Sequence, residues 1–297
     1  MRIGTRGSAL ALAQAKWVAE RLSDCLRTSP EITVIETTGD RVTDRPLREI
    51  EGRGYFTKEI EEALLNGAID IAVHSFKDMP SKAPGGLVVV AVTGREYPAD
   101  LLIIRGNAYD PRERDLPLRA NSVVGTSAVR RETQTRALRK DLVFSDLRGN
   151  VPTRLKKLDA GPFDAIFLAS AGVRRLRLDL AGYHVIRLDP TRFIPAPGQG
   201  ALAIQMREDD EHSARVRAAL HDASIGTATS IERAVQARFG GGCGLPLGVY
   251  TYPEHLEWHA HGFWGGDPAR PVWAQVADED PERISERLFA QLKDKSA

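Results

Sequence analysis

Short apolar runs and amphipathic stretches alternate through the first 95 residues. The runs Arg2–Thr5, Ile32–Thr37, Ile69–His74 and Leu87–Val92 have strand length, and the stretches from Ser8 and from Phe56 follow the helical period. In the first of these helices Leu10, Ala13, Trp17, Leu22, Cys25 and Leu26 fall near one stripe, which assigns Cys25 to the core, and Ser8 is placed to cap the N-terminus. A second rhythm follows Tyr97-Pro98: strands at Leu101–Ile104, Val123–Gly125, Leu142–Ser145, Asp164–Ala169 and Val185–Leu188, with helices from Ser127 and Val151 and another after Ala169. It ends at Ile194-Pro195-Ala196-Pro197-Gly198-Gln199-Gly200, whose punctuation marks a hinge, and Ala201–Met206 is placed to return to the first sheet. The pattern predicts two similar α/β lobes joined by two hinge crossings, residues 1–95 with 200–219 and residues 99–194. A small α+β domain is expected over 223–297, with helices from Thr227 to Phe239 and near Pro281 to Leu292.

Composition narrows the function classes. Of 297 residues 42% are hydrophobic and 27% charged, the balance of a packed globular chain. The 41 Lys and Arg nearly cancel the 40 Asp and Glu, so the chain lacks the global field of a nucleic-acid binder, and any anion site is local. Of those 41 bases 32 are arginine, whose planar fork suits carboxylates. No apolar run approaches the roughly 20 residues of a membrane span, and the N-terminal stretch reads as a strand, so a cytoplasmic protein is expected. Two cysteines, Cys25 and Cys243, are too few for a disulfide framework.

Three strand-to-helix turns carry arginine with hydroxyl or glycine: Arg6 to Ser8, Gly125-Thr126-Ser127-Ala128-Val129-Arg130-Arg131, and Leu147-Arg148-Gly149-Asn150 with Arg154 one turn on. Such turns attract anions through unpaired N–H groups and the positive end of the helix dipole. Arginines in a helix's first turn oppose that dipole and call for an anion beside them. His74-Ser75-Phe76-Lys77-Asp78-Met79-Pro80 directly follows an apolar strand, where open α/β sheets place ligands. Gly240-Gly241-Gly242-Cys243-Gly244 presents a cysteine on a backbone without neighbouring side chains, a candidate attachment point or nucleophile. His255, His259 and His261 read as solvent-facing strand residues, no metal is expected, and no nucleotide-binding glycine fingerprint occurs.

Taken together, Thr5 to Gln14, His74 to Asp78, Val124 to Ser127, Leu147 to Asn150, Pro197 to Gly200 and Gly241 to Cys243 resemble, in order, the motifs of the hydroxymethylbilane synthase (porphobilinogen deaminase) family. The resemblance runs from residue 2 to about residue 250. It implies two lobes of the periplasmic-binding-protein-like type, and a transferase that joins four porphobilinogen molecules head to tail, releasing ammonia, in tetrapyrrole biosynthesis. It implies a dipyrromethane cofactor, one per chain, in thioether linkage to Cys243, with Asp78 as the catalytic carboxylate. Ser8, Lys77, Thr126, Ser127, Arg130, Arg131, Arg148 and Gly149 are then cofactor-binding, and Arg6, Arg154, Arg175 and Gln199 substrate-binding. It further implies a monomer that passes its product to uroporphyrinogen-III synthase. The chain departs from the family at Ala128, where a second serine is common, and Gly52-Arg53-Gly54-Tyr55-Phe56 resembles the family's loop over the cleft. Two other classes stay open: a solute-binding module of the same two-lobed shape, and a cysteine-dependent acyl transferase, for which no histidine lies near Cys243 in sequence.

Overall fold

The computed structural model describes residues 1–41, 55–242 and 244–295. The chain opens with β1 (Arg2–Thr5), α1 (Ala9–Leu26), β2 (Glu31–Val34), α2 (Thr38–Arg41), α3 (Lys58–Leu65), β3 (Ile71–Ser75) and β4 (Leu87–Thr93). It crosses into β5 (Asp100–Ile104), β6 (Val123–Gly125), α4 (Val129–Leu138), β7 (Val143–Ser145), α5 (Val151–Ala160), β8 (Ala165–Ala169), α6 (Ser170–Leu176) and β9 (His184–Arg187). It then returns through β10 (Leu202–Arg207) and α7 (Ser213–Leu220).

Two five-stranded sheets result, in the orders β2-β1-β3-β10-β4 and β7-β6-β8-β5-β9. Each has three parallel strands followed by an antiparallel one, and the fourth strand is in each case the one that follows a crossing. The result is two similar α/β lobes of the expected kind, tied by reciprocal strands. The first core gathers Ile3, Ala15, Val18 and Leu22 with Ile71, Ile204 and Met206; the second gathers Leu102, Ile104, Val124, Ala165 and Phe167.

A third unit follows: α8 (Ala223–Arg238), an antiparallel meander of β11 (Leu247–Glu254), β12 (Glu257–Trp264) and β13 (Val272–Asp278), and α9 (Pro281–Asp294). Ile231 and Val235 of α8 pack with Ile284, Leu288 and Leu292 of α9 against the sheet. Helix α8 begins earlier than Thr227 because Asp222 caps it, accepting from Ile225 N at 3.0 Å. This unit is fastened to both crossings by Glu232, which is fully buried. Glu232 accepts from Arg95 Nη2 at 2.7 Å, Gly198 N at 2.7 Å and Thr251 N at 2.9 Å. Burial pushes its carboxyl up, and Arg95 only partly offsets this.

Two sequence expectations need correction. Cys25 is exposed, with Sγ 4.0 Å from Ala219 O. Cys25 stands in the last turn of α1 beside α7, while its neighbour Leu26 takes the place against the first core. His261 is buried at 8% exposure and His259 is half-buried; both stack on Tyr252, so of the three histidines only His255, at a turn, faces solvent.

Candidate active site

The carboxyl ends of β1, β3, β7 and β8 open into a cleft of about 920 Å³ between the lobes. Each end contributes through its own local chemistry. After β1, Ser8 caps α1 by accepting from Ala11 N at 3.2 Å, leaving Arg6 at the mouth. After β3 a single 3₁₀ turn, Phe76–Asp78, presents Lys77 and Asp78 while Phe76 is buried beneath them. After β7 the backbone turns at Gly149, whose φ of +117° and closeness to Thr153 Cγ2 (2.7 Å from a built Cβ) exclude a side chain. Asn150 then caps α5, accepting from Thr153 N at 2.9 Å and Thr153 Oγ1 at 2.7 Å.

Among the described residues, Arg6, Lys77, Arg131, Arg148, Arg154, Lys157 and Arg175 line the cleft against the carboxylates Glu36, Asp40 and Asp78. Positive charge is thus in excess where the chain as a whole is nearly neutral. Burial, with Arg131 and Arg148 nearby, pushes the Arg154 guanidinium down to about 10, and Asp78 opposes that shift. Burial likewise pushes Lys77 down to about 8 against the pull of Asp78. Lys77 and Arg154, from opposite lobes, both sense Asp78 and Arg131, which makes this one electrostatic site. The His74 imidazole lies behind the wall, 3.1 Å from Gln205 Oε1, and burial pushes it down to about 4, so it is neutral at pH 7.

The structure brings Ser8, Lys77, Asp78, Arg131, Arg148, Gly149, Arg6, Arg154 and Arg175 together along the cleft. Four other expected site residues stand behind it. Thr126 Oγ1 accepts from Ala128 N at 3.1 Å, and Ser127 Oγ exchanges hydrogen bonds of 3.1 Å with the backbone of Leu147. Arg130, 5% exposed, donates to Asp100 Oδ2 at 2.7 Å and to Ile194 O at 2.7 Å. Gln199, 1% exposed, donates to Pro98 O at 2.6 Å and Asp100 Oδ1 at 2.9 Å, and its Oε1 accepts from Lys77 Nζ at 3.4 Å. The anion demanded by arginines at the start of α4 is therefore internal. Fully buried Asp100 also accepts from Arg131 Nη2 at 2.7 Å. Burial alone would raise its carboxyl, but the two guanidiniums outweigh this and hold it well below the usual range.

Asp100 was not legible as a site residue, being one polar residue at the head of an apolar strand. Asp40 was missed too: Arg6 pairs with it and lies 4.0 Å over the ring of Phe56, the last residue of the segment expected over the cleft. Cys243 and Gly52 to Gly54 lie outside the described residues. Beside residue 243, Gly240 and Gly241 adopt φ of +91° and +73°, and a Cβ on Gly241 would meet Ser81 Oγ. Arg233 of α8 donates to Met79 O at 3.1 Å and to Pro80 O, and its guanidinium lies 4.7 Å over Phe76. The glycine loop is thus seated against the segment that follows Asp78.

The chain is similar to several known proteins. The family model described as porphobilinogen deaminase, dipyromethane cofactor binding domain, matches residues 1–215. The chain is 38% identical over 299 residues to porphobilinogen deaminase of Streptococcus sanguinis (strain SK36), covering 100% of this chain and 96% of that one. It is 44% identical over 298 residues to porphobilinogen deaminase of Roseiflexus sp. (strain RS-1), covering 98% and 95%. Among solved structures it is similar to a periplasmic substrate-binding protein of an ABC transporter from Coxiella burnetii, at 12% identity and a TM-score of 0.47, covering 78% of this chain and 96% of that one.

Proposed function

The chain belongs to the porphobilinogen deaminase family, which polymerises porphobilinogen into hydroxymethylbilane in tetrapyrrole synthesis, and we propose that its interlobe cleft is where this polymerisation runs. The observation that carries the proposal is the cleft in which Asp78 lies among Lys77, Arg131, Arg148 and Arg154. The donor set fits a carboxylate-bearing pyrrole chain. Arg131 Nε is buried without a hydrogen-bond partner among the described residues, an orphaned donor of the kind a bound carboxylate satisfies.

Lys77, Arg131, Arg148 and the Gly149 turn would hold dipyrromethane, with Cys243 as its thioether anchor and Ser8 at the cap of α1. When bound, dipyrromethane supplies the nucleophilic pyrrole carbon at which chain growth starts. Arg6, Arg154 and Arg175 orient the incoming porphobilinogen through its acetate and propionate groups. Asp78 accepts from the pyrrole N–H and protonates the departing amine, so ammonia leaves as the carbon–nitrogen bond breaks. Its carboxylate then stabilises the azafulvenium cation, and it takes up the proton lost once the new carbon–carbon bond has formed. Arg130, Gln199, Thr126 and Ser127 support the reading indirectly: they fix the backbone and guanidiniums that face the cleft.

The division into residues 1–95 with 200–219, residues 99–194 and residues 223–297 is part of this proposal, and the three separate sheets support it. We read the protein as a cytoplasmic monomer whose product passes to uroporphyrinogen-III synthase; no described helix is long and apolar enough to cross a membrane. Intact-mass measurement and peptide mapping of the purified protein test the central assignment. The expected result is one covalent pyrrole adduct on the peptide holding Cys243; an adduct on Cys25, or none on active enzyme, refutes it.

A further inference from the structure

The cleft arginines differ in what already occupies them. Arg154 Nε donates to Gly149 O at 2.7 Å, and Arg175 Nη2 donates to the carbonyls of Gly94 and Gly200 at 2.8 and 2.6 Å. Those acceptors are neutral and leave the positive charge available. Arg6 instead meets a carboxylate inside the same cleft. Its Nε lies 3.2 Å from each oxygen of Asp40, its Nη2 donates to Asp40 Oδ1, and Phe56 covers one face of the guanidinium. Asp40 is held in turn by Thr37 Oγ1 at 2.8 Å, and both members of the pair keep about a quarter of their side-chain surface, 23% and 24%. Burial would raise the Asp40 carboxyl, but hydrogen bonds from Arg6 and Thr37 hold it below its usual value, so it is ionised at neutral pH. Two oxygens on one guanidinium is also the arrangement a ligand carboxylate would adopt.

We propose that Asp40 is a specificity-determining residue: it occupies Arg6 as an internal stand-in for a substrate carboxylate, so that Arg6 accepts an anion only by exchange. The inference rests on the reading of Arg6 as substrate-binding. A simple monocarboxylate brings one anionic group and no second anchor, and competes poorly with a tethered, oriented rival. Porphobilinogen brings two carboxylates and a pyrrole N–H, so its other contacts carry the cost of displacing Asp40. Anchored pyrroles are thereby admitted to Arg6, and small anions are kept out.

Propionate is the probe, used as a competitive inhibitor of the primer-loaded enzyme. Asp40→Asn is expected to lower the inhibition constant of propionate about three- to tenfold, and to lower KM for porphobilinogen while kcat changes less. Asp40→Glu, which keeps the charge, is expected to retain discrimination close to the wild type. Asp40→Ser serves as a second neutral variant should the Asn form fail to fold, as judged by circular dichroism. Unchanged or weakened propionate inhibition in the folded neutral variant overturns the proposal and makes Asp40 a strut. Arg6→Gln separates the two layers: if it raises KM while the neutral Asp40 variant leaves propionate inhibition unchanged, only this inference fails. If Arg6→Gln leaves KM unchanged, the substrate-binding role of Arg6 falls and the inference with it.

Discussion

Replacing Asp100 with Asn should damage stability far beyond an ordinary surface change, because the residue neutralises two buried guanidiniums at once. Its oxygens accept at 2.7 Å from Arg130 and Arg131 and at 2.9 Å from Gln199, and the carboxylate has no exposed surface. Asn keeps the shape, but its NH2 turns a donor toward donors, and two arginines at 5% exposure lose their counter-charge. Removing one partner of a buried ion pair costs about 3–5 kcal/mol. For a cooperative unit of 150–250 residues each kcal/mol moves the midpoint by about 2–4 °C, so a fall of roughly 6–20 °C is expected. Calorimetry is the assay, and the second lobe's transition should move most if the lobes melt separately. Glu62→Gln, at the exposed i,i+4 pair with Lys58, is the control and should leave the midpoint near the wild type. A midpoint for Asp100→Asn within about 2 °C of the wild type would refute the account, since a loss of that size corresponds to no more than about 1 kcal/mol.

Asp78→Asn should fold, hold its pyrrole when primer is supplied preformed, and lose about 10²- to 10⁴-fold in turnover; near-normal turnover of loaded protein would move the catalytic role elsewhere. Ala128 is the N-cap of α4 and makes no side-chain cap, so Ala128→Ser should add about 1 kcal/mol and raise the melting midpoint by roughly 2–4 °C, which thermal scanning can check. Lys77 loses its charge as pH rises through about 8, so KM for porphobilinogen should climb above that pH, and Lys77→Arg should flatten the climb. Because the lysine's folded value lies below its unfolded one, its contribution to stability has the opposite sense. It is fully present above the unfolded value and is lost as pH falls through about 8, which pH-dependent denaturant titration can follow.

Much of this was legible along the chain because it is local. The strand-to-helix turns, the Gly149 position and the Ser8 cap follow from a few adjacent residues, and they brought Arg6, Arg131, Arg148 and Arg154 to one cleft. What escaped is what depends on distant partners. Arg130 read as calling for an anion at the start of its helix, and that anion comes from a strand 30 residues earlier. Gln199 read as a substrate contact, yet it clamps the two crossings by reaching Pro98 and Asp100. Periodicity put Cys25 on the apolar stripe but cannot say which residue of a helix's last turn the core covers, here Leu26 rather than Cys25.

The interleaved strand order also bears on how the protein is made. Strands β3 and β4 are consecutive in sequence but not adjacent in the sheet, because β10 lies between them. A ribosome that has delivered β4 must therefore leave a gap in the first sheet until Leu202–Arg207 emerge about 110 residues later. At about 5–20 residues per second that interval is roughly 5 to 20 s. The second sheet has all its strands by Arg187, so it can close first. During synthesis the lobe nearer the N-terminus is thus the later one to finish, with β3 and β4 each offering an unpaired edge to chaperones or to a neighbouring nascent chain.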